Sequence, residues 1–188
     1  MRIITGSARG ARLRTPKGMD TRPTADRVKE SLFNILGGRV VDCRVLDLFS
    51  GTGNLGLEAL SRGASAAAFI DRSTADLIRE NAEHTHLLDR SHILRGDVFA
   101  GMSRLAAAGE KFDLVFCDPP YNKGLWERAL QVLDTSELLA GQAIVVVEHG
   151  VGEDGIPPLS SLVLRRRQAY GRTTQLSIFQ KGFEEVQA

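Results

Sequence analysis

The sequence predicts an α/β fold built on a seven-stranded mixed sheet, with a small basic hairpin-and-helix extension in front of it. Three observations carry this. From Cys43 onward, short apolar runs alternate with stretches of helical periodicity. The runs are apolar throughout rather than at every second residue, as expected when both faces of a parallel sheet are covered. The chain then closes on two adjacent strand patterns, Leu162 to Tyr170 and Gln175 to Gln180, joined by Gly171-Arg172-Thr173-Thr174, which read as an antiparallel hairpin.

The elements follow in order. Arg2-Ile3-Ile4-Thr5 and Ala11-Arg12-Leu13-Arg14 flank the turn Gly6-Ser7-Ala8-Arg9-Gly10, and residues 16–23 form a loop between two prolines. Thr24 is placed to cap a helix that carries Asp26 in its first turn, Val28, Leu32, Ile35 and Leu36 on one face, and Gly37-Gly38 as its stop. Strands are expected near 44–48, 66–71, 92–95, 112–117 and 142–148. Helices are expected near 54–63, 74–88, 98–108 and 124–134. The sequence thus divides into an extension, 1–38, and a main domain, 39–188.

The 188 residues are 43% hydrophobic and 25% charged, enough for one ordinary core and unlike a disordered chain. The longest purely aliphatic stretch, Ala143 to Val147, is too short for a membrane helix, and the N-terminus lacks the apolar core of a signal peptide. A cytoplasmic protein is the expectation. Cys43 and Cys117 each adjoin a strand pattern and read as reduced packing residues. No histidine or cysteine spacing suggests a zinc site, and no metal is expected. The net charge of +1 hides an asymmetry. Residues 1–30 hold eight bases against three acids, a net +5, which leaves −4 on the rest. A basic arm on a mildly acidic body points to a polyanionic partner, with Arg9, Arg12, Arg14 and Arg22 as phosphate contacts. Arg165-Arg166-Arg167 either adds to that grip or guards an edge strand.

The chemistry concentrates at predicted strand ends. Asp47-Leu48-Phe49-Ser50-Gly51-Thr52-Gly53-Asn54-Leu55-Gly56 runs from the first strand into the first helix of the main domain. Gly51, Gly53 and Gly56 match the glycine spacing of a Rossmann-like nucleotide site, and Asp71 follows Gly53 by 18 residues. Taken alone, that spacing also suits an NAD-dependent oxidoreductase. Asp47, just ahead of the glycines, argues the other way. A carboxylate there repels a pyrophosphate but pairs with an ammonium group. S-adenosylmethionine offers an ammonium for Asp47, a ribose for Asp71 and an adenine amino group for Asp97, with Phe49, Ser50, Arg72 and Val98 adjoining those positions.

Asp118-Pro119-Pro120-Tyr121 ends the run Phe112 to Cys117. The prolines lack N–H groups and hold φ near −65°. The corner therefore offers acceptors only, beside a flat ring, which suits a planar group bearing an exocyclic NH₂. A stiff turn is the plain alternative for any one such motif, and an N-cap or turn role is the plain alternative for any one of the aspartates. Four of them, Asp47, Asp71, Asp97 and Asp118, at four successive strand ends are harder to assign to chance.

Asp47-Leu48-Phe49-Ser50-Gly51-Thr52-Gly53 together with Asp118-Pro119-Pro120-Tyr121 resembles the class I S-adenosylmethionine-dependent amino-methyltransferases. Arg2-Ile3-Ile4-Thr5-Gly6, Arg9-Gly10, Thr21-Arg22-Pro23-Thr24, Asp26-Arg27-Val28-Lys29-Glu30, Leu32-Phe33-Asn34 and Leu57-Glu58-Ala59-Leu60-Ser61-Arg62-Gly63-Ala64 narrow the resemblance to the RsmD family. That resemblance implies methylation of N2 of one guanine, position 966, of 16S rRNA in a partly assembled 30S subunit. It implies Asp118, Pro119, Pro120 and Tyr121 as the transfer residues, and a helix over the methionine end of the cofactor with Phe33 and Asn34 as candidate contacts, core packing being the equal alternative for Phe33. A monomer is expected. Competing readings are a DNA adenine-N6 or cytosine-N4 methyltransferase, a protein-glutamine methyltransferase (which resembles an Asn-Pro-Pro-Tyr pattern instead), the NAD-dependent oxidoreductase, and a non-catalytic RNA-binding module.

Overall fold

The computed structural model describes residues 1–16 and 23–182. Its strands are β1 (Arg44–Leu48), β2 (Ala66–Asp71), β3 (Ser91–Arg95), β4 (Phe112–Cys117), β5 (Leu139–Gly150), β6 (Leu162–Tyr170) and β7 (Thr174–Lys181). Its α-helices are α1 (Pro23–Leu36), α2 (Asn54–Ser61), α3 (Ala75–His84), α4 (Val98–Ala107) and α5 (Leu125–Thr135). The seven strands form one mixed sheet in the order β3-β2-β1-β4-β5-β7-β6. The predicted architecture is therefore observed, including the antiparallel terminal hairpin. The chain divides into two compact units, Met1–Val98 and Phe99–Ala188.

In the first unit β1, β2 and β3 pair in parallel, with Leu46 beside Ala68 and Ile70 beside Leu94. Val45, Leu46, Leu48, Phe69 and Ile70 are fully buried, as continuous apolar strands require. In the second unit β4 and β5 are parallel, and β7 runs antiparallel between β5 and β6. β6 is an edge strand, so Arg165, Arg166 and Arg167 do sit where charge discourages edge pairing. Cys43 and Cys117 are buried and form no disulfide.

Several boundaries move for physical reasons. α1 is described from Pro23 onward, so Thr24 lies within the helix rather than capping it. Gly37-Gly38 does not end the helical path at once. A single 3-10 turn, Gly37–Val40, follows and buries Val40. α3 stops at His84, ahead of His86, which has φ +57°. β5 is longer than its apolar run because Leu139 still pairs with Phe112 and Gly150 with Thr174.

The N-terminal arm is a turn closed by one bridge, Arg2 to Arg12, with the Ile3 N–H on Ala11 O and the Gly10 N–H on Ile3 O, both at 2.9 Å. It is held by α2. The Ile4 and Thr5 N–H groups donate to Glu58 at 2.8 and 3.1 Å, and the Ser7 N–H donates to Ser61 O at 2.8 Å. Gly6 has φ +93°, and a Cβ there would lie 1.8 Å from Ser61 O. Gly6→Ala therefore meets both a left-handed backbone and a backbone clash. We expect it to cost more than about 1–2 kcal/mol and to undock the arm, read as faster hydrogen exchange at Ile4 and Thr5 while β1 and β2 keep their protection.

Candidate active site

The glycine-rich turn of the first unit is built around Asp47. Its side chain is 2% exposed, under α2, and its Oδ2 accepts the Gly56 N–H at 2.9 Å. A Cβ on Gly56 would meet Phe69 Cε1 at 2.3 Å and Asp47 Oδ2 at 3.0 Å, so the third glycine is needed for close packing of helix on strand. Ser50 Oγ donates to Asp47 O at 2.5 Å, and the Ser50 N–H donates to Ile70 O at 3.2 Å, which joins the ends of β1 and β2. Phe49, Gly51 and Gly53 all take positive φ, +57°, +55° and +77°. The non-glycine Phe49 is the strained member of this turn.

Asp71 ends β2 and organises the same turn. Its Oδ2 accepts the Gly51 N–H at 3.0 Å, and its Oδ1 accepts those of Ser73 and Thr74 at 2.8 and 3.0 Å. These bonds outweigh partial burial and hold its pKa below the usual carboxylate range. Asp97 follows β3, is exposed, and pairs with Arg72 at 3.2 Å. Val98 is 5% exposed. The first unit thus brings Asp47, Ser50, Gly51, Gly53 and Asp71 into one turn, with Arg72 and Asp97 bridging the neighbouring strand ends. Asn34 lies on an exposed part of α1. Phe33 is 1% exposed under the Arg62 guanidinium, 4.6 Å from the ring centroid, and is a core residue.

The second unit carries the corner after β4. Asp118 and Pro120 are exposed, Pro119 is buried and Tyr121 is half-buried. The Tyr121 hydroxyl donates to Glu148 at 2.8 Å and lies 3.2 Å from Thr174 Oγ1. Burial and the adjacent Glu148 carboxylate raise the phenol pKa, and burial raises that of Glu148. The ring is held at both ends of its axis, by backbone and by hydroxyl. Glu153 adds a second brace. Its Oε1 accepts the Asn122 N–H at 2.9 Å and its Oε2 the Gly150 N–H at 2.6 Å. Glu148 and Glu153 were not legible as site residues. Their only sequence signal is acidity next to the predicted end of β5.

Other supports also escaped sequence reading. Lys29, 2% exposed, donates to Arg2 O and, at 2.7 Å, to Asn54 Oδ1 at the start of α2, and its Nζ lies 3.1 Å from Glu58. Asn81, fully buried, accepts the Arg14 N–H at 2.7 Å and donates to Thr52 O at 2.9 Å inside the glycine turn. Of the arginines expected on phosphate, Arg9 and Arg12 are exposed. Arg14 is drawn into a 2.7 Å pair with Glu80. Arg22 lies outside the described residues.

The family described as Conserved hypothetical protein 95 matches residues 1–180. Ribosomal RNA small subunit methyltransferase D of Escherichia coli K12 is 38% identical over 175 residues, which cover 92% of this chain and 86% of that protein. The chain belongs to the RsmD family. The solved structure of Escherichia coli yhhF is 37% identical, with a TM-score of 0.83 over 97% of this chain and 98% of the other. An RNA methyltransferase of Salinibacter ruber, solved with S-adenosyl-L-homocysteine, shares the fold at 16% identity, with a TM-score of 0.62 over 90% and 98% of the two chains.

S-adenosylmethionine is the cofactor of this methyltransferase class, and the RsmD-type turn fits it. Burial pushes the Asp47 carboxyl up to about 8, against the lowering effect of the Gly56 N–H. A carboxyl so unstable as an anion gains from a cation beside it. Gly51 leaves open space where a side chain would stand, with Phe49 O as the nearest atom at 4.0 Å. The folded pKa of Asp47 lies above its unfolded value of 3.8, so its contribution is fully present below about pH 4 and falls as pH rises towards 8. An ammonium bound at Asp47 reverses this by favouring the carboxylate. We expect cofactor binding between pH 6 and 7 to release up to about one proton, measured by calorimetry in buffers of different ionisation enthalpy, with no release in Asp47→Asn. Equal heats in all buffers for the wild type would exclude the ammonium from Asp47.

Proposed function

We propose that the protein transfers a methyl group from S-adenosylmethionine to the exocyclic N2 of one guanine, position 966, of 16S rRNA in a partly assembled small ribosomal subunit. The observation that carries the reading is the corner Asp118-Pro119: exposed carboxylate, proline backbone without N–H, and a braced aromatic ring, in a chain of this methyltransferase family. Support for rRNA comes from the name of the 38% identical relative and from the basic arm.

The cofactor supplies an electrophilic methyl group on a sulfonium. The guanine amino lone pair is delocalised into its ring and is a poor nucleophile. The Asp118 carboxylate and the Pro119 carbonyl each accept one of its N–H groups, which favours a pyramidal nitrogen with its lone pair free for in-line attack. With the cofactor bound, transfer to this nitrogen would form the C–N bond as the S–C bond breaks, leaving its electron pair on sulfur. The surplus proton leaves the nitrogen along the Asp118 hydrogen bond. This is orientation and electrostatic stabilisation without a strong base. The Tyr121 ring stacks on the base, worth about 1–3 kcal/mol. A looped guanine costs less to extrude than a paired one. In this reading Asp47, Phe49, Ser50, Gly51, Gly53, Asp71, Arg72, Asp97 and Val98 serve the cofactor. Residues 1–38 serve as the RNA-binding extension, and the enzyme acts as a cytoplasmic monomer.

The test is tritium transfer from labelled S-adenosylmethionine to 30S subunits purified from cells that lack their own methylation of this site, followed by nucleoside analysis. N2-methylguanosine is the expected product. Label in adenine or cytosine of added DNA, with none in the subunit, would replace the reading with that of a DNA amino-methyltransferase.

A further inference from the structure

Between the N-terminal arm and α1 lies a groove of about 390 Å³, bordered by Arg2, Ile4, Arg9, Asp26, Arg27 and Glu30. That volume lies within the range of small-ligand sites. All its residues belong to the first unit, and none belongs to the glycine turn or to the Asp118 corner.

The charges in the groove are unevenly spent. Arg2 and Asp26 face each other at 3.7 Å. Arg9, Arg27 and Glu30 are exposed and have no ion-pair partner among the described residues. Arg27 and Glu30 stand three residues apart on α1, hence on neighbouring surface positions. The walls, in contrast, are fixed from behind. Ile4 hangs on Glu58 through its N–H, and Lys29, between Arg27 and Glu30 in sequence, binds Arg2 O and Glu58 in the interior. A groove with buried struts and uncommitted charges at its mouth is preorganised for a ligand.

We infer that this groove holds one unpaired guanosine nucleotide of the RNA substrate, separate from the base that is methylated. The inference rests on the RNA reading above. Arg9 and Arg27 take the phosphate, and the aliphatic Ile4 side chain and the flat guanidinium of Arg2 offer faces for a base. Glu30 selects the base. A carboxylate only accepts, and guanine alone presents two adjacent N–H donors, N1–H and N2–H, to one carboxylate. Adenine and cytosine place a ring-nitrogen acceptor beside their amino group, which repels it. Uracil offers a single N–H between two carbonyls.

The test is fluorescence anisotropy of the full chain with labelled hexauridylate and with the same oligomer carrying one central guanosine, adenosine or cytidine. It is done at fixed salt in the Asp118→Ala background, so that the transfer corner adds no guanine preference. We expect the guanosine oligomer to bind about 10-fold or more tightly than the other three. Glu30→Gln should erase that preference and keep the affinity for hexauridylate. Arg27→Ala should weaken all four alike and flatten the log–log salt dependence by about one. Equal affinities before the Glu30 change, or a guanosine preference that survives it, would overturn the inference. Methyl transfer to the subunit by the unmutated chain, without any guanosine preference in the Asp118→Ala chain, removes the groove assignment alone. A guanosine preference in that variant, without methyl transfer by the unmutated chain, removes the rRNA-methylation reading alone.

Discussion

Asp118→Ala should lower methyl transfer to the 30S subunit about 10²–10³-fold, the usual effect of removing one partner aimed at developing charge. The affinity for S-adenosylmethionine should stay within about twofold, because the glycine turn proposed to hold it belongs to the first unit and Asp118 to the second. The loss should fall on kcat, since the carboxylate acts on the amino group most strongly as it gains positive character. Asp118→Asn is the sharper control. It keeps the size of the side chain, but its amide presents donors where the substrate also has donors. An asparagine variant as slow as the alanine one identifies the acceptor as the contribution. An asparagine variant close to wild type would mean that the corner positions the base by shape, and the Asp118 role proposed here would fall.

Glu58→Leu should have the largest effect on stability. Glu58 is fully buried in α2 and accepts the Ile4 and Thr5 N–H groups, Lys29 at 3.1 Å and Arg62 at 2.7 Å. Burial already lowers the Lys29 pKa, and Glu58 is the main influence opposing that fall. Leucine would leave the ammonium without its counter-charge in a site that is 1% exposed, together with two unpaired backbone donors. Removing one partner of a buried pair costs about 3–5 kcal/mol. Urea unfolding should show that loss as a lower midpoint. Replacing both residues, as Lys29→Met with Glu58→Leu, should recover part of it, because the fully buried ammonium is then gone and only the partly exposed Arg62 loses its partner. A Glu58→Leu loss under about 1 kcal/mol would show that the pair is not holding the arm. Lys29 also reaches Asn54 at the start of α2, and Asn81 joins Arg14 to Thr52 of the glycine turn.

The alternation of strand and helix, the closing hairpin and the edge position of Arg165 to Arg167 were all readable in the sequence. They follow from local causes: apolar runs for two-sided burial, 3.6-residue periodicity for helix faces, and glycine where the backbone turns left. The positions of the acids proposed for the site were readable for the same reason, since Asp47, Asp71, Asp97 and Asp118 sit at or beside the ends of strands. Tertiary structure alone decided how those side chains are spent. Asp47 ties down Gly56, Asp71 ties down Gly51, and Arg14, while exposed, pairs with Glu80. It also recruited Glu58 for the arm, Asn81 for the glycine turn and Glu148 and Glu153 for the transfer corner. These partners are far apart along the chain, 54 residues from Ile4 to Glu58 and 67 from Arg14 to Asn81. A helix or a turn is set by residues within a few positions of one another. A buried charge or backbone donor is satisfied by whatever the folded chain brings beside it, and the local pattern holds no record of that partner.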